Sequence, residues 1–171
     1  MDTEVKEYVI SAFTENHAGV LNRITSVFLR RKINIESIKV SESSIKGISM
    51  FTIITYADEG VVSRLVKQIE KVVDVLRAEY YASEKLLAHE IALFKVSKVV
   101  FDDIEKITSL YPIQIVEVGE DYAVLELTDC KEKIDALRDY LKGRELLVQV
   151  ARSGSVILHT GTAEDALSDL I

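Results

Sequence analysis

Apolar and polar positions along this chain repeat with two rhythms, a period of two and a period near 3.6, and their order predicts the fold. Residues 5–14 are rich in β-branched and aromatic side chains and read as a strand. Val20, Leu21, Ile24, Val27 and Phe28 then recur at helical spacing, an apolar stripe on a helix running to about Lys32. The stretch 33–41 carries Ile33 and Ile35 and then changes phase to Ile38 and Val40, which predicts a bulge or a strand half buried on both faces. A hairpin loop over 43–47 leads into a third strand over 48–56. Asp58 can cap a second helix carrying Val61, Val62, Leu65, Val66, Ile69, Val72 and Val73, and a fourth strand covers 76–81. The order is β-α-β-β-α-β, a ferredoxin-like unit with two helices on one face of an antiparallel sheet.

After a short polar linker at 82–88 the same order recurs. Residues 89–97 read as a strand. A helix over 101–111 turns Ile104, Ile107 and Leu110 inward and is stopped by Pro112. Strands over 113–118 and 122–128 flank the turn Gly119-Glu120-Asp121. Asp129 with Glu132 has the spacing of a capping box, opening a helix that presents Ile134, Leu137 and Leu141 and ends near Gly143. A strand over 146–151 closes the unit, residues 152–155 break it, and 156–158 can extend it. The segment 162–171 reads as a short acidic amphipathic helix or a frayed end. The class is therefore α+β, two ferredoxin-like units whose likeness is one of pattern and not of residue identity.

Composition narrows the function. Of 171 residues 48% are apolar, enough for one domain or two small ones with buried cores. A formal charge of −7 argues against nucleic acid or an anionic membrane as a general partner. The single cysteine, Cys130, leaves no internal disulfide and fits a reducing compartment. No apolar run has the length of a membrane span, and the first residues carry no signal pattern, so a cytoplasmic protein is expected. Catalytic and metal residues are expected to be none. His17, His89 and His159 lie far apart, Cys130 stands alone, and no phosphate-binding glycine motif is present.

The stretch Thr14 to Ile24 is the exception to this plainness. Asn16 is placed to cap the first helix, and Gly19 follows where a glycine weakens a helix by about 0.5–1 kcal/mol. Either Gly19 eases a tight turn, or something approaches the backbone there. The outward amides and the positive end of the helix dipole suit a small carboxylate. Acylphosphatase-type enzymes share the fold and an anion cradle at this place, but their cradle needs a loop arginine. Here the loop has Glu15, which repels a phosphate dianion and tolerates an ammonium, and Arg23 lies a turn further into the helix. An amino acid is the better ligand.

Asn16-His17-Ala18-Gly19-Val20-Leu21-Asn22-Arg23-Ile24 with Asn34-Ile35-Glu36-Ser37 resembles the ACT-domain signature of the regulatory small subunit of acetolactate synthase (acetohydroxyacid synthase). The blocks at 68–75, 89–96 and 150–154 resemble that family's second helix, the opening strand of its C-terminal domain and its closing motif, in the family's order. The resemblance implies an ACT domain at 4–81 for effector binding and dimerisation, a linker at 82–88, a C-terminal ferredoxin-like domain at 89–161 and a tail at 162–171. It implies no catalysis and no cofactor in this chain. A catalytic large subunit would carry thiamine diphosphate, a divalent metal (Mg) and FAD, and would be activated by this chain. It would also be made sensitive to a branched-chain amino acid, usually valine. The implied effector site uses Asn16, Ala18, Gly19, Val20, Asn34 and Ile35, with Asn34 reaching from the paired chain of a homodimer or higher even oligomer. Lys32, Met50 and Thr160 depart from the family pattern; Lys32 replaces a common glycine and leaves the backbone there less free to adopt positive φ. The alternative is a stand-alone ACT-type amino-acid sensor serving another enzyme.

Overall fold

A computed structural model describes residues 4–159, so the segment 162–171 and Thr160 lie outside the described residues. Backbone contacts divide the chain into two compact units, the first reaching Leu86 and the second spanning Leu87–Leu158.

The first unit runs Lys6–Glu15 (β1), Val20–Arg31 (α1), Ser37–Glu42 (β2), Ile48–Ala57 (β3), Glu59–Ile69 (α2) and Val75–Ala82 (β4). Its sheet has the order β2-β3-β1-β4 with every pair antiparallel, which is the ferredoxin-like topology. Alternation along β1 sends Tyr8, Ile10 and Ala12 under the helices, where they meet Ile24, Val27 and Phe28 of α1 and Val62, Leu65 and Ile69 of α2. Of the expected stripe Val20, Ile24, Val27 and Phe28 are buried, while Leu21 is exposed. Asp58 caps α2 as expected, its carboxylate accepting from the Val61 amide at 2.9 Å. Val72 and Val73 are not helical; α2 ends at Ile69 and they form the connection to β4.

Two local conformations account for the remaining differences in this unit. Lys32 adopts φ 55°, and the Lys32 amide donates to the Leu29 carbonyl while the Ile33 amide donates to that of Phe28. This left-handed closure stops α1 and lets Ile33 fold back on the core, although the position holds no glycine. Residues 33–36 are consequently a connection and not strand, and β2 pairs with β3 from Ser37 to Glu42 without a bulge. The phase change in the sequence marks where the connection ends.

The second unit runs Leu86–Ser97 (β5), Ile104–Leu110 (α3), Gln114–Val118 (β6), Tyr122–Asp129 (β7), Lys131–Gly143 (α4), Leu147–Arg152 (β8) and Val156–His159 (β9). Its order β6-β7-β5-β8 repeats that of the first unit, with β9 added alongside β5. Ser83–Lys85 forms a single 3₁₀ turn between β4 and β5, so the irregular connection is shorter than the polar stretch 82–88 suggests. Lys98–Asp103 is likewise 3₁₀, α3 begins only at Ile104, and Leu110 faces solvent while Ile107 is buried. Ile134, Leu137 and Leu141 of α4 close the core over Phe94, Leu125 and Leu127. Gly143 is not the left-handed residue after α4; Glu145 is, at φ 58°, with the Leu146 amide returning to the Leu141 carbonyl.

The expected capping box does not form. Cys130 precedes α4, and Asp129 stays in β7, its carboxylate accepting from the Cys130 amide at 2.8 Å and from Lys133 Nζ at 2.9 Å. Burial pushes the Asp129 carboxyl up, but these donors outweigh it and hold the group below its usual 3.8. A depressed carboxyl stabilises the fold fully above its unfolded value, and that contribution is lost as pH falls through the folded one. Urea midpoints measured below pH 3.8 should therefore fall more steeply for the native chain than for Asp129→Asn. Equal slopes would show that Asp129 titrates alike in both states.

Candidate functional site

The turn from β1 into α1 is built around Gly19. At φ 89° and ψ −8° it occupies the position just before the helix, a conformation that costs a side-chain-bearing residue about 1–2 kcal/mol. Asn16 does not cap the helix. No side chain does, and the Asn16 backbone is instead tied to the β2–β3 hairpin through its amide and the Gly47 carbonyl at 2.9 Å. Within the turn the His17 amide returns to the Glu15 carbonyl (3.0 Å) and the Val20 amide to that of His17 (3.4 Å). Among the described residues the amides of Ala18, Gly19, Leu21 and Asn22 have no backbone acceptor. They stand at the positive end of α1, whose first turn contains no acidic side chain. Residues 15–19 are all exposed. An unneutralised row of donors at a solvent-facing helix start is suited to a carboxylate.

The connection between α2 and β4 holds the turn from the other side. Asp74, at φ 75°, accepts the Glu15 amide on its carbonyl at 2.8 Å. Its carboxylate lies 3.3 Å from His17 Nδ1 and pairs with the Arg23 guanidinium, while Glu15 Oε2 approaches the same His17 nitrogen at 3.4 Å. Ligand-type atoms of Glu15, His17 and Asp74 lie within 4.8 Å of one another, but the cation already seated on Asp74 is Arg23. Beside Arg23 opens a groove of about 370 Å³ lined by Asn22, Arg23, Ser26, Arg30, Val72 and Val73. Neither Asp74 nor this groove is marked by a motif, and in the sequence Arg23 stands only as a residue one turn into the helix. The contact joins residues 51 apart, and no spacing signal announces it.

Of the six expected site residues, Asn16, Ala18 and Gly19 share this turn. Val20 follows directly but is 2% exposed and packed in the core, so only its backbone can meet a surface ligand. Asn34 and Ile35 are elsewhere. Asn34 is exposed, donating from Nδ2 to Glu36 Oε1 at 2.6 Å and accepting the Thr55 hydroxyl on its carbonyl at 2.7 Å; Ile35 packs partly against the core. Glu15 stands opposite Ile48 in β3, and Thr55 lies seven residues further along that strand, about 24 Å away. One chain thus presents two separate halves, at opposite ends of α1.

Both halves of the chain match family descriptions. Residues 10–77 match the AHAS small subunit-like ACT domain, and residues 89–161 match the small subunit of acetolactate synthase. The probable acetolactate synthase small subunit of Methanothermobacter thermautotrophicus is 32% identical over 165 residues, covering 95% of this chain and 98% of that protein. The acetolactate synthase small subunit of Bacillus subtilis is 33% identical over 164 residues, covering 94% and 95%. The crystal structure of the acetolactate synthase small subunit from Thermotoga maritima superposes with a TM-score of 0.82 at 27% identity, covering 92% of this chain and 99% of that one. The chain belongs to the acetolactate synthase small subunit family.

Proposed function

We propose that this chain is the non-catalytic regulatory subunit of a cytoplasmic acetolactate synthase. It raises the activity of a catalytic large subunit that carries thiamine diphosphate, Mg and FAD, and it confers feedback inhibition by a branched-chain amino acid, with valine the first candidate. The observation that carries the effector reading is the row of unpaired amides at the Gly19 turn, a carboxylate receptor with no carboxylate of its own in the first turn of α1. The second family match, over 89–161, favours this reading over a stand-alone amino-acid sensor, which has no need of that domain.

The separation of Asn34 from Gly19 supports a paired assembly. β2 is an edge strand, hydrogen-bonded only to β3 among the described residues, and so open to a further strand. Antiparallel pairing of two β2 edges about a two-fold axis sets the start of one strand beside the end of the other. Asn34 lies just before that start, and the hairpin after the end holds Asn16 through Gly47. The paired chain's copy of Asn34 then approaches the Gly19 turn, joining the two halves into one site for a zwitterion. Regulation follows if the effector binds more tightly when the assembly holds the synthase in its inhibited state.

Adding the purified chain to its catalytic subunit should increase the rate of acetolactate formation, and a branched-chain amino acid should reverse the gain. An unchanged rate on addition would overturn the assignment.

A further inference from the structure

Glu15, His17, Arg23 and Asp74 form a charged cluster beside the Gly19 turn. We propose that Arg23, aimed by Asp74, is the counter-charge for the effector's carboxylate and that Glu15 receives its ammonium. The site thereby accepts an α-amino acid and rejects the 2-oxo acid of the same side chain. The inference rests on the effector reading above.

A Cβ built on Gly19 would lie 3.8 Å from Arg23 Nη1, so the guanidinium folds back over the turn whose amides are free. Its other nitrogen, Nη2, is engaged by Asp74, whose own carbonyl holds the Glu15 amide. Asp74 therefore fixes the direction of Arg23 and leaves Nη1 to face the place where a carboxylate meets the amides. A guanidinium so held presents planar donors with little rotamer freedom left to lose.

The remaining charges decide what accompanies that carboxylate. Glu15 and Asp74 bring two carboxylates to the turn against the one guanidinium of Arg23, so a bare anion meets more acidic than basic side chains there. Asp74 engages Arg23 through Nη2 alone, and the Glu15 carboxylate, half exposed, contacts only the His17 ring among the described residues. An ammonium on the same ligand supplies the missing positive charge. A 2-oxo acid shares the carboxylate and the apolar side chain but offers a carbonyl dipole instead, and Glu15 repels it. The apolar part of either ligand has Val72 and Val73 of the adjoining groove to rest against, since Val20 is turned into the core.

The test is calorimetric titration of the full chain with valine, leucine and isoleucine, and with the matching 2-oxo acids. The native chain should bind its amino acid at least about fivefold more tightly than the oxo acid, the size of a solvent-exposed charge pair. Glu15→Gln should shrink that ratio towards one. Arg23→Gln should weaken the amino acid roughly tenfold, the scale of a lost charged hydrogen bond, and Arg23→Lys should recover part of it. Thermal melts of each variant monitor folding. If the native chain binds no branched-chain amino acid, the effector reading falls and this inference with it. Binding that survives Arg23→Gln unchanged, or an unaltered ratio in Glu15→Gln, overturns the inference alone. Equal losses in Arg23→Gln and Arg23→Lys would make Arg23 structural and overturn it too.

Discussion

Gly19→Asp is expected to abolish feedback inhibition while leaving activation of the synthase largely intact. The substitution acts at the one backbone position whose φ, 89°, favours glycine at the mouth of the amide turn. No clash opposes it, because the nearest atom to a new Cβ is Arg23 Nη1 at an ordinary 3.8 Å. The backbone cost is about 1–2 kcal/mol for a left-handed residue, and aspartate is among the side chains that tolerate that region best. Its carboxylate then lies among the free amides and beside the guanidinium, occupying the donors that an effector's carboxylate would use and repelling any second anion. Gly19→Ala separates the two causes, since it carries the conformational cost without the charge. Inhibition curves of the reconstituted synthase against branched-chain amino acids should be flat for Gly19→Asp and only shifted for Gly19→Ala. A fully sensitive Gly19→Asp protein would place the effector elsewhere on the chain.

The topology was legible because it depends on periodicity, which survives many local errors. Val27, Phe28, Leu65, Ile69, Ile107, Ile134, Leu137 and Leu141 all occupy the buried faces that their spacing predicts. The turns were less legible, because they depend on backbone conformations that residue identity only biases. Asn16 has a good capping side chain yet is committed to Gly47, while Gly19 takes the position before the helix. Lys32 and Glu145 adopt the left-handed conformation that glycine would be expected to supply, held there by the paired returns of their own amide and the next one. A helix of the right length with its apolar residues already docked can impose that strain on whatever residue follows it. Gly19 was legible as special, but for a partial reason, since its φ and not a close neighbour demands glycine. The Arg23–Asp74 pair was out of reach. It depends on α1 and the α2–β4 connection lying side by side, which only the folded sheet order brings about.

The second large effect is expected in the other unit, where Arg152→Met should destabilise the fold by about 3–5 kcal/mol. Glu90 in β5 is only 5% exposed, and its partner across the sheet is Asp129 of β7, also buried. Like charges facing each other across a sheet repel, and burial strengthens the repulsion. Each is answered by a separate cation. Lys133 serves Asp129, and Arg152 reaches from β8 to Glu90 with one nitrogen and to Asp135 of α4 with another at 2.7 Å. Asp135 is shared with Arg138, so Arg152 ties β5 and β8 to the helix that covers the core. Removing the guanidinium leaves a buried, uncompensated carboxylate opposite another one, and that penalty exceeds the modest net worth of the intact pair. The double substitution Glu90→Gln with Arg152→Met should therefore recover most of the loss, because a neutral amide asks far less of a buried site. Urea unfolding of the full chain distinguishes the cases by the midpoint of the unit that melts first. A single Arg152→Met variant as stable as the native chain would show that Glu90 finds another partner or solvent. A double variant no better than the single one would show that Arg152 holds the unit through Asp135 instead.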